Sequence, residues 1–427
     1  MQNKRQDEAL ELFVEHFYEN KNKKGQINAC CAYGKTYYFY KLIDHCIINY
    51  DERIFVYITS RILLMNQAAN VFESFVDTDE IICMRLGDGN SFSLDELQYF
   101  LSNDNYKYKI IFTTYNSAHK IRNAIYDYNK NLRKKHLIID LIIFDEAHNT
   151  TSHDDKFHQK LIVTDKWYDY NKCIFASATS TKLLNIKIKN NTYSMDNINI
   201  YGEVYYSYSF KQGIQDKIIN DFEVIKSSDK YIKNMSEETK EMIKDKDNKL
   251  DIYLKYLAKF LMESIKKYNL KKVIVYLSNK QKVSKYHKFL DKYNDLGCEI
   301  FDIVCSDSSK SRDDKETLFV GSNIGIILSV NIYNEGVNIP CVDSVLFGDE
   351  KKIESVIIQN IGRCIRIDKN NVSKKSYVLI PSSIYKILSK KFTLDDKNDN
   401  NFKKIYEMIK CIKNDDENNC KKLCPKD

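Results

Sequence analysis

Leu141–Ile142–Ile143–Phe144–Asp145–Glu146–Ala147–His148 decides how the rest of the chain is read, because four apolar residues run straight into two adjacent carboxylates. A strand covered on both faces reads as an unbroken apolar run, and in an open α/β sheet ligands bind beyond the carboxyl ends of such strands. Asp145 and Glu146 fall at that edge. Two carboxylates there suit a magnesium nucleotide: one holds the metal through water, and the other takes a proton from the water attacking the γ-phosphate. Taken alone, the octapeptide reads equally well as a strand ending in a solvated acidic turn.

At 427 residues the chain exceeds what one hydrophobic core usually serves, so two domains of roughly 150–200 residues each are expected. Hydrophobic residues make up 43% and charged ones 29%, with 31 Tyr and 21 Phe, a globular composition and not a disordered one. The formal charge of +7 permits contact with a phosphate backbone without demanding it. The 12 cysteines are scattered, with Cys30 and Cys31 adjacent, and show no disulfide framework. With a polar N-terminus unlike a secretory leader, they predict a reducing, intracellular setting, in the cytoplasm or at a nucleoid or viral replication site. No apolar run approaches the roughly 20 residues that cross a bilayer, the best candidate being broken by Asp140, so a soluble protein without a membrane partner is expected.

Gln6 to Tyr18 reads as an amphipathic helix, with Ala9, Leu10, Phe13, Val14 and Phe17 at helical spacing. A short strand at Gln26–Cys30, the loop Cys31–Ala32–Tyr33–Gly34–Lys35–Thr36 and a helix through Ile43 follow. Strand, loop, Gly-Lys-Thr and helix form a context for phosphate binding: backbone N–H groups and the helix N-terminus face the phosphates, the Lys35 ammonium reaches the β/γ oxygens, and the Thr36 hydroxyl ligates magnesium. A phosphate loop commonly has Gly where this chain has Ala32, followed here by the bulky Tyr33, and alanine is tolerable there unless φ must be positive. A surface turn is the other reading of the loop by itself.

Further apolar runs at Ile54–Ile58, Ile81–Met84, Lys109–Phe112, Leu137–Phe144 and Lys172–Phe175 alternate with helix-length segments, the rhythm of a parallel sheet. A second series runs through Val273–Leu277, Ile300–Val304, Gly325–Ser329, Ser344–Phe347 and Ser376–Ile380. The fold class is therefore α/β, in tandem: residues 1–212, a charged junction at 213–255, a second domain at 256–385, and a charged tail at 386–427 with a short helix at Phe402–Ile412.

Ser177–Ala178–Thr179 follows the strand at Lys172–Phe175, and Gln359–Asn360–Ile361–Gly362–Arg363–Cys364–Ile365–Arg366 lies near the end of the second series. With the phosphate loop and the Asp-Glu-Ala-His box, in this order and at these separations, the chain resembles a superfamily 2 DEAD/DEAH-box helicase or translocase from about Gln6 to Pro381. The resemblance implies two RecA-like domains, each a mostly parallel sheet flanked by helices. Gln6 with Ala9 resembles the family's adenine-reading Gln-x-x-Ala. Thr59–Ser60–Arg61 and Thr113–Thr114–Tyr115 resemble strand-end elements that touch the nucleic-acid backbone, as does Ser278 after the first strand of the second domain. Asn334–Glu335–Gly336–Val337–Asn338–Ile339–Pro340 resembles a Glu-Gly-x-Asp-x-Pro element, with Asn338 where Asp is usual. That element, Ser194–Met195–Asp196 and Tyr201–Gly202–Glu203 most resemble the branch related to restriction-enzyme motor subunits and virus-encoded helicases.

The resemblance implies an ATP- and magnesium-dependent motor that steps along nucleic acid, expected to be DNA, through backbone contacts at Ser60, Arg61, Thr113, Thr114 and Ser278. Lys35 and Thr36 would bind phosphate and magnesium with Ala32, Tyr33 and Gly34, Asp145 would position magnesium, and Glu146 would be the base. Gln359, Arg363 and Arg366 would complete the catalytic set, the arginines as a finger that acts on domain closure, worth about 10³–10⁵ in rate in other phosphoryl-transfer systems. His148, Ser177, Thr179, Glu335 and Gly336 would couple hydrolysis to the strand. One rival reading keeps the fold as a nucleic-acid-binding scaffold with a decayed phosphate loop, against which stand the intact Lys35, Thr36, Asp145, Glu146, Arg363 and Arg366. Another is the ATPase subunit of a larger nuclease or transcription assembly, whose nuclease would come from a partner. Cys411, Cys420 and Cys424 could be three zinc ligands, but their spacing is loose and no fourth ligand is evident, so the sequence does not tell whether they bind metal.

Overall fold

A computed structural model describes residues 2–75, 79–87, 92–130, 136–151, 169–178, 195–228, 239, 242, 246–304, 306–330, 339–351, 353–385 and 402–414. The chain divides into two compact units, Met1–Asp216 and Lys217–Asp427. The strands of the first are β1 Lys24–Ala29, β2 Ile54–Thr59, β3 Ile81–Leu86, β4 Tyr108–Thr114, β5 Ile139–Phe144, β6 Tyr170–Ser177 and β7 Glu203–Tyr208. They form one sheet in the order β3-β4-β2-β5-β6-β1-β7, with every pairing between them parallel. An all-parallel sheet is covered on both faces, which is why β2 and β4 are apolar runs buried along their whole length. The helix Ala118–Lys130 covers part of one face with Ala118, Ile121, Ala124, Ile125 and Tyr128, the stripe a 3.6-residue period produces.

Register sets the site. Phe144 of β5 lies level with Ile58 of β2 and with Phe175 of β6, and Ser177 lies level with Asn28 of β1. These four strands therefore release the chain at a common edge.

The second unit holds β8 Phe222–Lys226, β9 Lys272–Tyr276, β10 Glu299–Ile303, β11 Gly325–Ser329, β12 Ser344–Phe347 and β13 Ser376–Ile380. Their order is β10-β11-β9-β12-β13-β8, again parallel throughout. The helix Lys246–Tyr268 packs Tyr253, Leu257, Leu261 and Ile265 into this core. Among the described residues no helix is long and apolar enough to cross a membrane.

The architecture is the expected α/β tandem, but two expected boundaries move. The charged junction at 213–255 contains β8, the edge strand that pairs with β13, and much of the helix Lys246–Tyr268. Phe222 and Ile225 are buried while Glu223 and Lys226 face out, so an edge strand's alternation passed for a charged linker. Within the expected tail, the helix Lys403–Asn414 buries Ile405, Met408, Ile409 and Ile412 behind a lysine-rich outer face. The rest of 386–427 lies outside the described residues.

Candidate nucleotide site

The loop after β1 is wound by two residues in the left-handed region, Ala32 at φ +66° and Gly34 at φ +85°. Gly34 is the N-cap of the helix Lys35–Tyr50, and the first backbone N–H groups of such a helix end are suited to an anion. Tyr33 is fully buried, its ring among Tyr38, Tyr206 and Tyr208 and its hydroxyl donating to the Arg5 carbonyl (3.1 Å). The bulky residue in the loop is thus an anchor that pins it to the N-terminal helix. Gln6 on that helix donates its amide to the carbonyls of Tyr33 (3.2 Å) and Gly34 (3.3 Å).

Beyond β5, Asp145 is buried and Glu146 takes φ +51°. Asp145 Oδ2 accepts from the Tyr57 hydroxyl (2.6 Å), Oδ1 accepts from the Glu146 N–H (3.0 Å), and the Asp145 carbonyl accepts from the Tyr115 hydroxyl (2.9 Å). Burial, reinforced by the Glu146 charge, pushes the Asp145 carboxyl up to about 6 against the opposing pull of Lys35 and Tyr57. Lys35 Nζ stands 3.9 Å from Glu146 Oε1. Burial alone would lower Lys35, but the carboxylates of Glu146 and Asp145 outweigh it and hold the ammonium above its ordinary value. His148 Nδ1 lies 3.3 Å from Glu146 Oε2 and 3.3 Å from Ser177 Oγ, so His148 stands between Glu146 and the end of β6.

Tyr57 is the functional residue that sequence reasoning missed. Its hydroxyl donates to Asp145 Oδ2, one of the two side chains expected to face magnesium. The signal available was a tyrosine inside an otherwise aliphatic buried strand, where a phenol must find a polar partner.

An adenine nucleotide with magnesium fits this donor set. Gln6 Oε1 is buried without a hydrogen-bond partner and can accept from an adenine amino group. Lys35 and the helix N-terminus offer phosphate binding, and Thr36 with Asp145 offers the two hard oxygen ligands magnesium takes from protein when phosphate and water supply the rest.

In the second unit, Gln359 and Arg363 lie buried on the helix Glu354–Cys364, and Arg366 follows its end. The charges of Arg363 and Arg366 both act on the buried Tyr276 hydroxyl at the end of β9, whose pKa burial raises and the arginines lower. The expected strand contacts differ in exposure. Ser60 and Arg61 are partly exposed beyond β2, whereas Thr113 is fully buried with its hydroxyl donating to the Leu86 carbonyl (3.1 Å), and Thr114 is buried. The Thr113 hydroxyl thus helps to join β4 to β3. Ser278 gives its N–H to Asp349 Oδ2 (2.7 Å). Thr179, Glu335, Gly336, Cys420, Cys424 and the side chain of Cys411 lie outside the described residues.

Two tandem RecA-like sheets carry, in the first unit, a left-handed loop after β1 and paired carboxylates after β5. Residues 1–182 match the family described as type III restriction enzyme, res subunit, and residues 253–368 match the helicase conserved C-terminal domain. These two matches support a superfamily 2 helicase of the kind that carries a res-subunit domain. The chain's fold is similar to that of the ATP-dependent Type ISP restriction-modification enzyme LlaBIII bound to DNA, at 19% identity and TM-score 0.66 over 88% of this chain and 27% of that one. It is also similar to a fragment described as an HsdR subunit of a type I restriction enzyme from Vibrio vulnificus, at 16% identity and TM-score 0.59, over 93% of this chain and 66% of that one. S. cerevisiae Dbp5 bound to RNA and ADP BeF3 aligns at 15% identity and TM-score 0.53 over 98% of this chain and 93% of that one. The chain thus spans about a quarter of the first of these and under two thirds of the second. No curated protein sequence matches it.

Proposed function

We propose that the protein is an ATP-hydrolysing translocase or helicase that moves along DNA. The observation that carries this reading is the meeting of Lys35 Nζ and Glu146 Oε1 at 3.9 Å, beside a buried Asp145 that the Tyr57 hydroxyl holds. Phosphate, metal and base functions fall at one sheet edge. Lys35 and the loop amides bind the phosphates, Thr36 and Asp145 orient the metal, and Glu146 takes the proton of the attacking water. Bound magnesium neutralises charge on the β- and γ-phosphates. His148 passes the state of Glu146 to Ser177, and so to the edge from which Ser60 and Arg61 reach a phosphate backbone. Arg363 and Arg366 act on the charge that develops in the transition state.

DNA is favoured over RNA by the restriction-enzyme family of residues 1–182. A second reading, a motor module within a larger restriction-type assembly, is favoured by the 27% of the LlaBIII chain that this one spans.

Steady-state turnover of ATP with no polymer, single-stranded DNA, duplex DNA and RNA tests the proposal, beside Lys35→Ala and Glu146→Gln. Both variants should lose turnover by about 100-fold or more, and Glu146→Gln should still bind ATP. Turnover in Glu146→Gln equal to wild type would remove Glu146 as the base, and stimulation by RNA alone would overturn the DNA assignment.

A further inference from the structure

Asp216 ends the first unit and Lys217 opens the second, and each side of this junction is tied to a residue of the proposed reaction. On the first side, Asp216 Oδ2 accepts from Arg5 Nε (2.8 Å) and from the Tyr208 hydroxyl (2.9 Å), and the Asp216 N–H donates to the Gln212 carbonyl (2.8 Å). Arg5 precedes Gln6, and its own carbonyl accepts from Tyr33 of the phosphate loop (3.1 Å). The anchor is therefore one side chain removed from the loop.

On the second side, Ile219 forms an antiparallel bridge with Arg366, and the Asn220 N–H donates to the Ile365 carbonyl (2.7 Å). The Asn220 amide reaches the Lys374 carbonyl (3.3 Å). Lys374 Nζ in turn donates to the Cys364 carbonyl (3.0 Å), which also accepts from the Ser376 hydroxyl (2.7 Å). The turn that carries Arg366 is thus held from outside by the chain arriving from the first unit. Lys217 and Ile218 are what separates the anchors, with Lys217 at φ +53°. Asp216 and Ile219 are therefore at most about 11 Å apart along the chain.

Resting on the ATP-motor reading, we propose that this junction is a short strap in which Ile219 and Asn220 position Arg366, so that a shift of the nucleotide loop reaches the arginine through Arg5, Asp216 and the chain itself. Ile219 and Asn220 are positioning residues, since their backbone acts through Arg366.

Inserting Gly-Gly between Lys217 and Ile218 leaves every one of these bonds in place and adds about 7 Å of slack. The strap predicts that kcat at saturating DNA falls on the order of tenfold or more, with unstimulated turnover and the KM for ATP within about twofold of wild type. Asn220→Pro, which deletes the N–H, should lower kcat in the same way, whereas Asn220→Ala, which keeps it, should not. Circular dichroism and thermal unfolding check that each variant is folded, and if Asn220→Pro unfolds the insertion decides alone. A folded insertion variant with wild-type stimulated kcat overturns the strap while Glu146→Gln, run beside it, still reports on the motor. A wild-type protein without ATP turnover overturns the motor reading and the strap with it.

Discussion

Ala32 stands in the phosphate loop at φ +66°, a conformation that costs a residue bearing Cβ about 1 kcal/mol and costs glycine little. The sequence reading treated alanine there as acceptable on condition that φ stayed negative, and that condition is not met. Ala32→Gly should therefore stabilise the protein by about 0.5–1 kcal/mol, seen as a rise in the urea midpoint at unchanged slope. A fall in the midpoint would mean that the loop's hydrogen bonds and not its φ set the energy. Lys35, Asp145 and Glu146 were picked out together because few side chains suit phosphate, a hard cation or a proton, and the structure brings them to one sheet edge. Tyr57 was not, because in a run such as Ile54–Ile58 a tyrosine reads as core. Its burial and its bond to Asp145 appear only when β2 and β5 lie side by side. The burial of Thr113 was hidden for the converse reason: a threonine at a strand end invites a contact with solvent or ligand, but register aims its hydroxyl at Leu86.

Strands were legible where their apolar run was unbroken, at an edge as in β3 or in the centre of a sheet. Central strands such as β2, β5, β9 and β11 are continuous apolar runs whatever surrounds them. The edge strands β7 and β8 lie among charges and alternate, so neither rises above its neighbours in the sequence. The helix Lys403–Asn414 was expected as part of a tail, yet Ile405 is fully buried, Lys404 pairs with Glu354 on the helix that carries Arg363, and Tyr406 lies under Lys226 Nζ of β8 (4.2 Å). Ile405→Ala should cost roughly 2–4 kcal/mol, the range for truncating a buried aliphatic side chain. In denaturant the loss should appear in a transition that belongs to the second unit. A variant with the wild-type midpoint would return this helix to the status of a tail.

At the scale of the whole molecule, the net charge of +7 and the two parallel sheets set the frame, and the claim that turns it into a motor is that both units serve one reaction. Lys35, Thr36, Asp145 and Glu146 belong to the first unit, Arg363 and Arg366 to the second. Ground-state binding of ATP rests on the first set, so it should survive loss of an arginine. Turnover should not, because a guanidinium that acts on developing charge contributes to the transition state alone. The most direct measurement is steady-state ATP turnover of wild type and Arg366→Ala, each with and without single-stranded DNA, beside a nucleotide-binding titration. The account predicts that Arg366→Ala loses turnover on the order of 1,000-fold and loses its stimulation by DNA, while its affinity for ATP changes by less than about tenfold. An Arg366→Ala protein that kept both its turnover and its response to DNA would contradict it.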